Sequence, residues 1–367
     1  MKLNGHIPMP QQEKSGLDIN LGTLCSTDAF NWAKSTFPNR EGRAGATALP
    51  VDGAFSNLLV FGNQRIGIAS DGIGTKIELA ERTQIYDTLG YDLVAMVADD
   101  LVAMGFEPTN ISNIIDVNYC RQSTINALMK GLAAACNFSG MSISGGEIAE
   151  LGDRIGGYGA GMHFNWCSTA IGILPNELSQ PIDGTKVKAG QVVIALKSRG
   201  FRSNGFSLLR RKMESHFGID WHTTAYDETT TWGEKLLTPS LIYTPLIVEI
   251  IKQGIQLSGI AHITGGGIFD NFQRILKTKQ LGVNLDNLFP ALEVMSKIIE
   301  LAAIPIQDAY LYWNMGNGML MVVDESDQDS VLAVAKQFNY AARAAGRITA
   351  DKKMTLHCET VYLEKTY

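Results

Sequence analysis

Five short stretches of this chain carry residue types at spacings that can do chemistry. Ser70-Asp71-Gly72-Ile73-Gly74-Thr75-Lys76 combines an acid, two glycines and a lysine. Glycines let main-chain amides approach a phosphate closely, Lys76 supplies a point charge, and Asp71 can hold Mg²⁺. The GxxxxGK[ST] spacing is absent, so this is not a Walker A loop, and an ordinary glycine turn at a strand end would look the same. The second stretch is helical. Asp100 falls four residues after Met96 and four before Met104, on an apolar stripe with Leu93 and Val97, whereas Asp99 is expected to point elsewhere, with Asp92 and Ala95. A carboxylate on such a stripe needs a metal, a cap or a basic neighbour. Together Asp71 and Asp100 would make a hard oxygen site suited to a Mg²⁺-nucleotide.

The other three stretches look like phosphate or substrate holders. Ser144-Gly145-Gly146-Glu147 follows a predicted strand and would leave Glu147 at its C-terminal end, where open α/β sheets place ligands; a Gly-Gly turn with a solvated acid is the plainer alternative. In Gly200-Phe201-Arg202-Ser203-Asn204-Gly205, Ser203 or Asn204 can cap a helix whose free amides form an anion site, and Arg202 adds charge; a plain helix cap reads the same residues. Ala261-His262-Ile263-Thr264-Gly265-Gly266-Gly267 runs a strand into three glycines, a shape suited to main-chain cradling of phosphate. His262 alone is more often a satisfied histidine than a catalyst. No G-x-S-x-G elbow, HExxH or kinase signature occurs.

Positioning these groups requires alternating strands and helices, hence an α/β class. Predicted strands cover 58–61, 65–70, 111–117, 141–144 and 167–174, with helices at 87–104 and from Ser123 to Gly140. The polar, proline-containing stretch 175–190 marks an expected boundary between an N-terminal domain, 1–174, and a C-terminal domain, 175–367. In the second domain, strands are predicted at 191–196, 259–264, 282–285, 319–323, 341–348 and 355–363. Helices are predicted at 204–217, 239–252, 269–277, 291–301 and 328–338.

Composition narrows the function classes. With 367 residues, 45% of them hydrophobic and 19% charged, the chain can bury two cores. The 37 acidic against 31 basic side chains give a net charge of −6, which argues against a nucleic-acid or anionic-membrane partner. No apolar run reaches membrane-spanning length, and the N-terminal sequence lacks a signal-peptide core. Five scattered cysteines without a CxxC pair read as cytosolic thiols, so a cytoplasmic globular protein is expected.

Taken together the motifs resemble those of the AIR synthetase (phosphoribosylformylglycinamidine cyclo-ligase) family. The likeness runs through SGLDINLG (15–22), SDGIGTKIELA (70–80), YDTLGYDLVAMVADDLVAMGFEP (86–108), SGGEIAE (144–150), SRGFRSNGFSLLRR (198–211), LLTPSLIYTPL (236–246), AHITGGGIFDNFQRIL (261–276) and WNMGNGMLMVV (313–323). The resemblance implies a two-domain fold of mixed sheets with flanking helices and an ATP cleft between the domains. It also implies a homodimer and a ribonucleotide substrate closed into a ring at the expense of ATP. By the family pattern Asp71 and Asp100 would serve Mg²⁺; Gly72, Gly74, Thr75, Lys76 and Asp100 would meet ATP. Glu147, Ser203, Asn204, His262 and Gly265–Gly267 would face substrate or phosphate, and Arg202 would join Asp71, Lys76 and Asp100 in catalysis. Departures are also visible. Arg202 stands where the family has His, Asp99 where it has Asn, the stretch 43–50 replaces its glycine-rich loop, and Glu150-Leu151-Gly152-Asp153 replaces an acid-Met-Pro-Gly run.

Overall fold

The computed structural model describes residues 19–48 and 54–366. Leu49 and Pro50 of the altered 43–50 stretch, and the beginning of the 15–22 motif, lie outside the described residues. The first sheet contains β1 (Ala46–Ala48), β2 (Asn57–Phe61), β3 (Gln64–Gly72), β4 (Glu107–Val117), β5 (Ser142–Glu150) and β6 (Phe164–Ile173), in the order β1-β2-β3-β6-β4-β5. Its pairs are antiparallel except β4 with β5. The helices of this half are α1 (Ile19–Ser35), α2 (Lys76–Thr83), α3 (Leu89–Ala103) and α4 (Gln122–Ser139), of which α3 and α4 pack on the sheet. Alternation along β4 explains the layering: Ile111, Asn113, Ile115 and Val117 are buried, while Ser112 and Ile114 are exposed on the opposite face.

The second sheet contains β7 (Val192–Lys197), β8 (Leu257–His262), β9 (Gly282–Leu285), β10 (Asn317–Val323), β11 (Ala342–Thr349), β12 (Lys353–Cys358) and β13 (Val361–Thr366), in the order β13-β12-β9-β11-β7-β10-β8. Every residue of β10 is buried, which is why that strand reads as an unbroken apolar run. The helices here are α5 (Phe206–Phe217), α6 (Trp232–Leu236), α7 (Thr244–Lys252), α8 (Gly267–Leu276), α9 (Glu293–Leu301), α10 (Ile306–Tyr312) and α11 (Gln328–Gln337).

Helix α3 joins the two halves. It packs on β3 and α4 on one side and on α7 and β8 on the other, and only Tyr91 and Asp100 of it escape burial. A helix apolar on all sides is what such a sandwiched position demands.

Several expectations need correcting. Ser144-Gly145-Gly146-Glu147 is not a turn but the middle of β5, and Gly146 is needed because a Cβ there would lie 2.6 Å from the Asn113 carbonyl oxygen. The strand predicted at 355–363 is the hairpin of β12 and β13, turning at Glu359 with φ 53°. Helix α5 begins at Phe206 behind a left-handed Gly205, with no side-chain cap from Ser203 or Asn204. Likewise α4 starts at Gln122, one residue before the expected Ser123 cap, because Arg121 takes the extended cap conformation.

Candidate active site

The two acids singled out in the sequence come together at the junction of the halves. Asp71 is next to last in β3 and accepts a hydrogen bond from its neighbour's amide, Gly72 N, at 2.7 Å. Asp100 sits in the last turn of α3, its side chain 21% exposed. Burial pushes Asp71 up to about 6, against the pull of that amide, and the nearby Asp100 charge pushes it further the same way. Burial likewise raises Asp100 to about 7, although Arg274 and Arg202 pull it down. Two neighbouring acids, both short of compensating charge, are the chemistry expected of a cation site.

Three loops converge on these acids. Ser207 Oγ lies 3.2 Å from Thr75 Oγ1, and a Cβ built on Gly74 would lie 3.8 Å from the Ser203 carbonyl oxygen. On the other side, a Cβ on Gly265 would lie 3.2 Å from Asn204 Oδ1. The stretches around 72–75, 203–207 and 265–267 therefore share one surface. Asn271 Nδ2 braces the glycine loop from beneath, donating to the carbonyls of Gly265 at 3.1 Å and Gly267 at 2.8 Å. Among the described residues, Ser203 Oγ and Asn204 Nδ2 are buried without a hydrogen-bond partner, two orphaned polar atoms at the point of convergence. Gly266 and Gly267 have φ of 90° and 63°, and a Cβ on Gly267 would lie 1.8 Å from the Tyr310 carbonyl oxygen, so no other residue fits there.

Lys76 and Arg202 do something other than expected. Lys76 opens α2 and is fully buried; its Nζ donates to Asp92 Oδ1 and to the Thr238 carbonyl, each at 2.8 Å. Asp92 Oδ1 also accepts from Ser240 N at 3.1 Å and Ser240 Oγ at 2.6 Å. Lys76 thus ties α2 and α3 to the 238–240 segment and is not presented to a phosphate. Burial lowers its affinity for the proton, partly offset by Asp92.

Arg202, 1% exposed with φ 60°, is also not an open phosphate clamp. Its Nη2 meets Asp99 Oδ2 at 2.9 Å and His262 Nε2 at 2.6 Å, and its Nη1 donates to the Leu241 carbonyl at 3.0 Å. Asp99, which the helical spacing puts on another face of α3 from Asp100, is fully buried. It accepts the amides of Tyr243 at 2.9 Å and Thr244 at 3.1 Å, at the start of α7, where a carboxylate favours the helix dipole. Helix α3 buries both of these faces, so an acid on either one needs a partner. His262 is buried as well, and its Nδ1 lies 2.8 Å from Asp100 Oδ1. Burial and then the Arg202 charge hold it well below the usual imidazole range, so it is neutral.

Glu147 does not join this cluster. Register places it beside Ile114 on the first sheet, and it is exposed. That sheet's open face also holds a cavity of about 300 Å³ lined by Ser70, Asp71, Ser112, Cys167 and Thr169, with Ser70 Oγ 2.8 Å from Thr169 Oγ1. Sequence reasoning did not assign Asp92, Asp99 or Arg274 to the site, although Asp99 stands out as a departure from the family pattern. Arg274, stacked on the Phe55 ring at 4.7 Å, carries charge toward Asp100 and left no signal beyond its place in α8.

Comparison with known proteins fits this geometry. The AIR synthase related protein N-terminal domain matches residues 52–174, and the corresponding C-terminal domain matches 188–359. The chain belongs to the AIR synthase family. Phosphoribosylformylglycinamidine cyclo-ligase of Carboxydothermus hydrogenoformans is 36% identical, with 78% of this chain and 82% of that one aligned. The protein of the same name from Methanobrevibacter smithii is 31% identical over 95% of this chain and 97% of its own. Among solved structures, thiamine-monophosphate kinase from Stenotrophomonas maltophilia superposes with a TM-score of 0.59 at 14% identity, covering 86% of this chain and 92% of that one. Thermotoga maritima PurL complexed with ATP superposes at 0.54 and 14% identity, covering 89% of this chain and 46% of that one. These structural likenesses concern the fold. The two departures from the family pattern, Arg202 and Asp99, are each other's partners in an ion pair at 2.9 Å.

Among the described residues no helix is long and apolar enough to cross a membrane, and no group of three or more His, Cys, Asp or Glu side chains could hold a metal. A Mg²⁺ ion commonly takes only one or two protein carboxylates and completes its shell with water and phosphate, which Asp71 and Asp100 fit.

Proposed function

We propose that the chain is an ATP-dependent cyclo-ligase that closes formylglycinamidine ribonucleotide to aminoimidazole ribonucleotide in purine biosynthesis. The names of its relatives over most of its length support the reaction. The observation that carries the site is the pair Asp71 and Asp100, undercompensated at the meeting point of three amide-rich loops. Mg²⁺ held by these two would neutralise phosphate charge when bound with ATP.

The chain's own residues do the rest by placement. Amides and orphaned polar atoms of 203–205 and 265–267 would hold phosphate or substrate, and Gly72, Gly74 and Thr75 would line the nucleotide side. The formamide oxygen would receive the γ-phosphoryl group. The amidine nitrogen then attacks the activated carbon, phosphate leaves with the former formamide oxygen, and the nitrogen loses its proton. No protein nucleophile is needed. The division into units 1–174 and 175–367, with the site between them, belongs to the same reading. It is supported by one sheet drawn from 46–173 and another from 192–366.

The same reading includes a cytoplasmic homodimer. Its support is the open face of the first sheet, where Ile114 is 49% and Ile171 39% exposed. A second reading, phosphorylation of a different small molecule, is favoured by Arg202 standing in the histidine position. Purified protein given formylglycinamidine ribonucleotide and Mg·ATP should release aminoimidazole ribonucleotide and ADP in equal amounts. ATP turnover only with another acceptor would select the second reading.

A further inference from the structure

Four buried or half-buried side chains form a continuous chain across the junction of the halves: Asp99, Arg202, His262 and Asp100. The contacts are 2.9 Å from Asp99 Oδ2 to Arg202 Nη2, 2.6 Å from that nitrogen to His262 Nε2, and 2.8 Å from His262 Nδ1 to Asp100 Oδ1. A guanidinium has only donors. Its Nη2–H can therefore meet His262 Nε2 only if Nε2 is a bare acceptor, and the one ring proton must then sit on Nδ1. That proton points at Asp100 Oδ1, which accepts it.

We infer that Arg202 is a positioning residue: through His262 it fixes the imidazole tautomer that pins Asp100 by Oδ1 and leaves Oδ2 to face an incoming cation. This rests on Asp100 being a cation ligand, as proposed above. Among the described residues no other hydrogen bond holds Asp100; its charged neighbours Arg274 and Arg202 act on it through space. With the opposite tautomer, Nδ1 would be a lone pair facing a carboxylate, and the side chain would swing free. The Asp99 carboxylate anchors the far end, because it holds Arg202 while the α7 amides hold Asp99. Outer partners that orient a metal ligand in this manner are commonly worth about 10- to 100-fold in metal affinity.

The test uses the full chain labelled with ¹⁵N-histidine. Long-range ¹H–¹⁵N correlation spectra should show His262 as a single Nδ1–H tautomer in the wild type; an Nε2–H form or an imidazolium overturns the inference outright. Arg202→Met alone would strand a buried Asp99 charge, so the variant is Asp99→Asn with Arg202→Met, which removes both charges and keeps an acceptor for the α7 amides. It should lose the single tautomer and bind Mn²⁺ alone about tenfold more weakly, read by electron paramagnetic resonance of the free ion. Unchanged tautomer, or unchanged Mn²⁺ affinity, overturns the inference. Asp100→Asn separates the two failures. If it leaves Mn²⁺ binding unaltered, the cation reading itself falls; if it weakens binding while the double variant does not, only the relay falls.

Discussion

Replacing Lys76 by methionine separates a structural lysine from a phosphate-binding one. The side chain is fully buried, with Nζ 2.8 Å from Asp92 Oδ1 and from the Thr238 carbonyl. Methionine fills a similar volume but leaves Asp92 buried with only the Ser240 donors. Breaking a buried pair in this way costs about 3–5 kcal/mol. Unfolding entropy scales to roughly 0.8 kcal/mol per kelvin for a chain of 367 residues, so melting should fall by about 5 °C. Pairing Lys76→Met with Asp92→Leu removes the stranded charge. Some of the loss should return, though not all, because the Ser240 amide and hydroxyl lose their acceptor at about 1–3 kcal/mol. Scanning calorimetry of wild type, single and double variants reads the cycle directly. A Lys76→Met protein with unchanged melting and a KM for ATP raised tenfold or more would refute the reasoning and return Lys76 to the phosphates.

Asp71 and Asp100 bind protons more tightly folded than unfolded, so their contribution to the metal-free fold weakens as pH rises from about 4 to about 7. A cation must displace those protons; Mg²⁺ affinity by calorimetry should rise at least about 30-fold from about pH 5.5 to about pH 8, and a flat profile would remove the pair from the metal site. Gly267→Ala drives a Cβ against the Tyr310 carbonyl at a left-handed position; a urea midpoint reporting less than about 2 kcal/mol of destabilisation would show that the loop yields. Ile114→Glu with Ile171→Glu puts charge on the open sheet face and should give a monomer by analytical ultracentrifugation with its melting nearly unchanged; a persisting dimer would place the interface elsewhere.

What the sequence determined by itself was local. Periodicity placed most strands and long helices to within a few residues, since alternate burial in β4 and the apolar run of β10 are direct consequences of their layers. It also picked out Asp100, because an acid on an apolar stripe is costly wherever the chain goes, and Asp71, because it opens a glycine-rich stretch ending in Lys76. Its errors share one cause. Lys76 and Arg202 were expected to face a phosphate, yet both are buried by contacts with residues more than 100 positions away, and Asp99, placed only on a different face from Asp100, is closed off by segment 238–244. Amphipathic reasoning assumes that a helix has a wet side, and α3 has none once the second sheet and α7 close over it. A glycine pair in β5 likewise looked like a turn, because Asn113, whose carbonyl oxygen excludes a Cβ there, sits on a neighbouring strand. Which charges become ion pairs and which stay open to a ligand depends on what desolvates them, and that is decided only when distant segments meet.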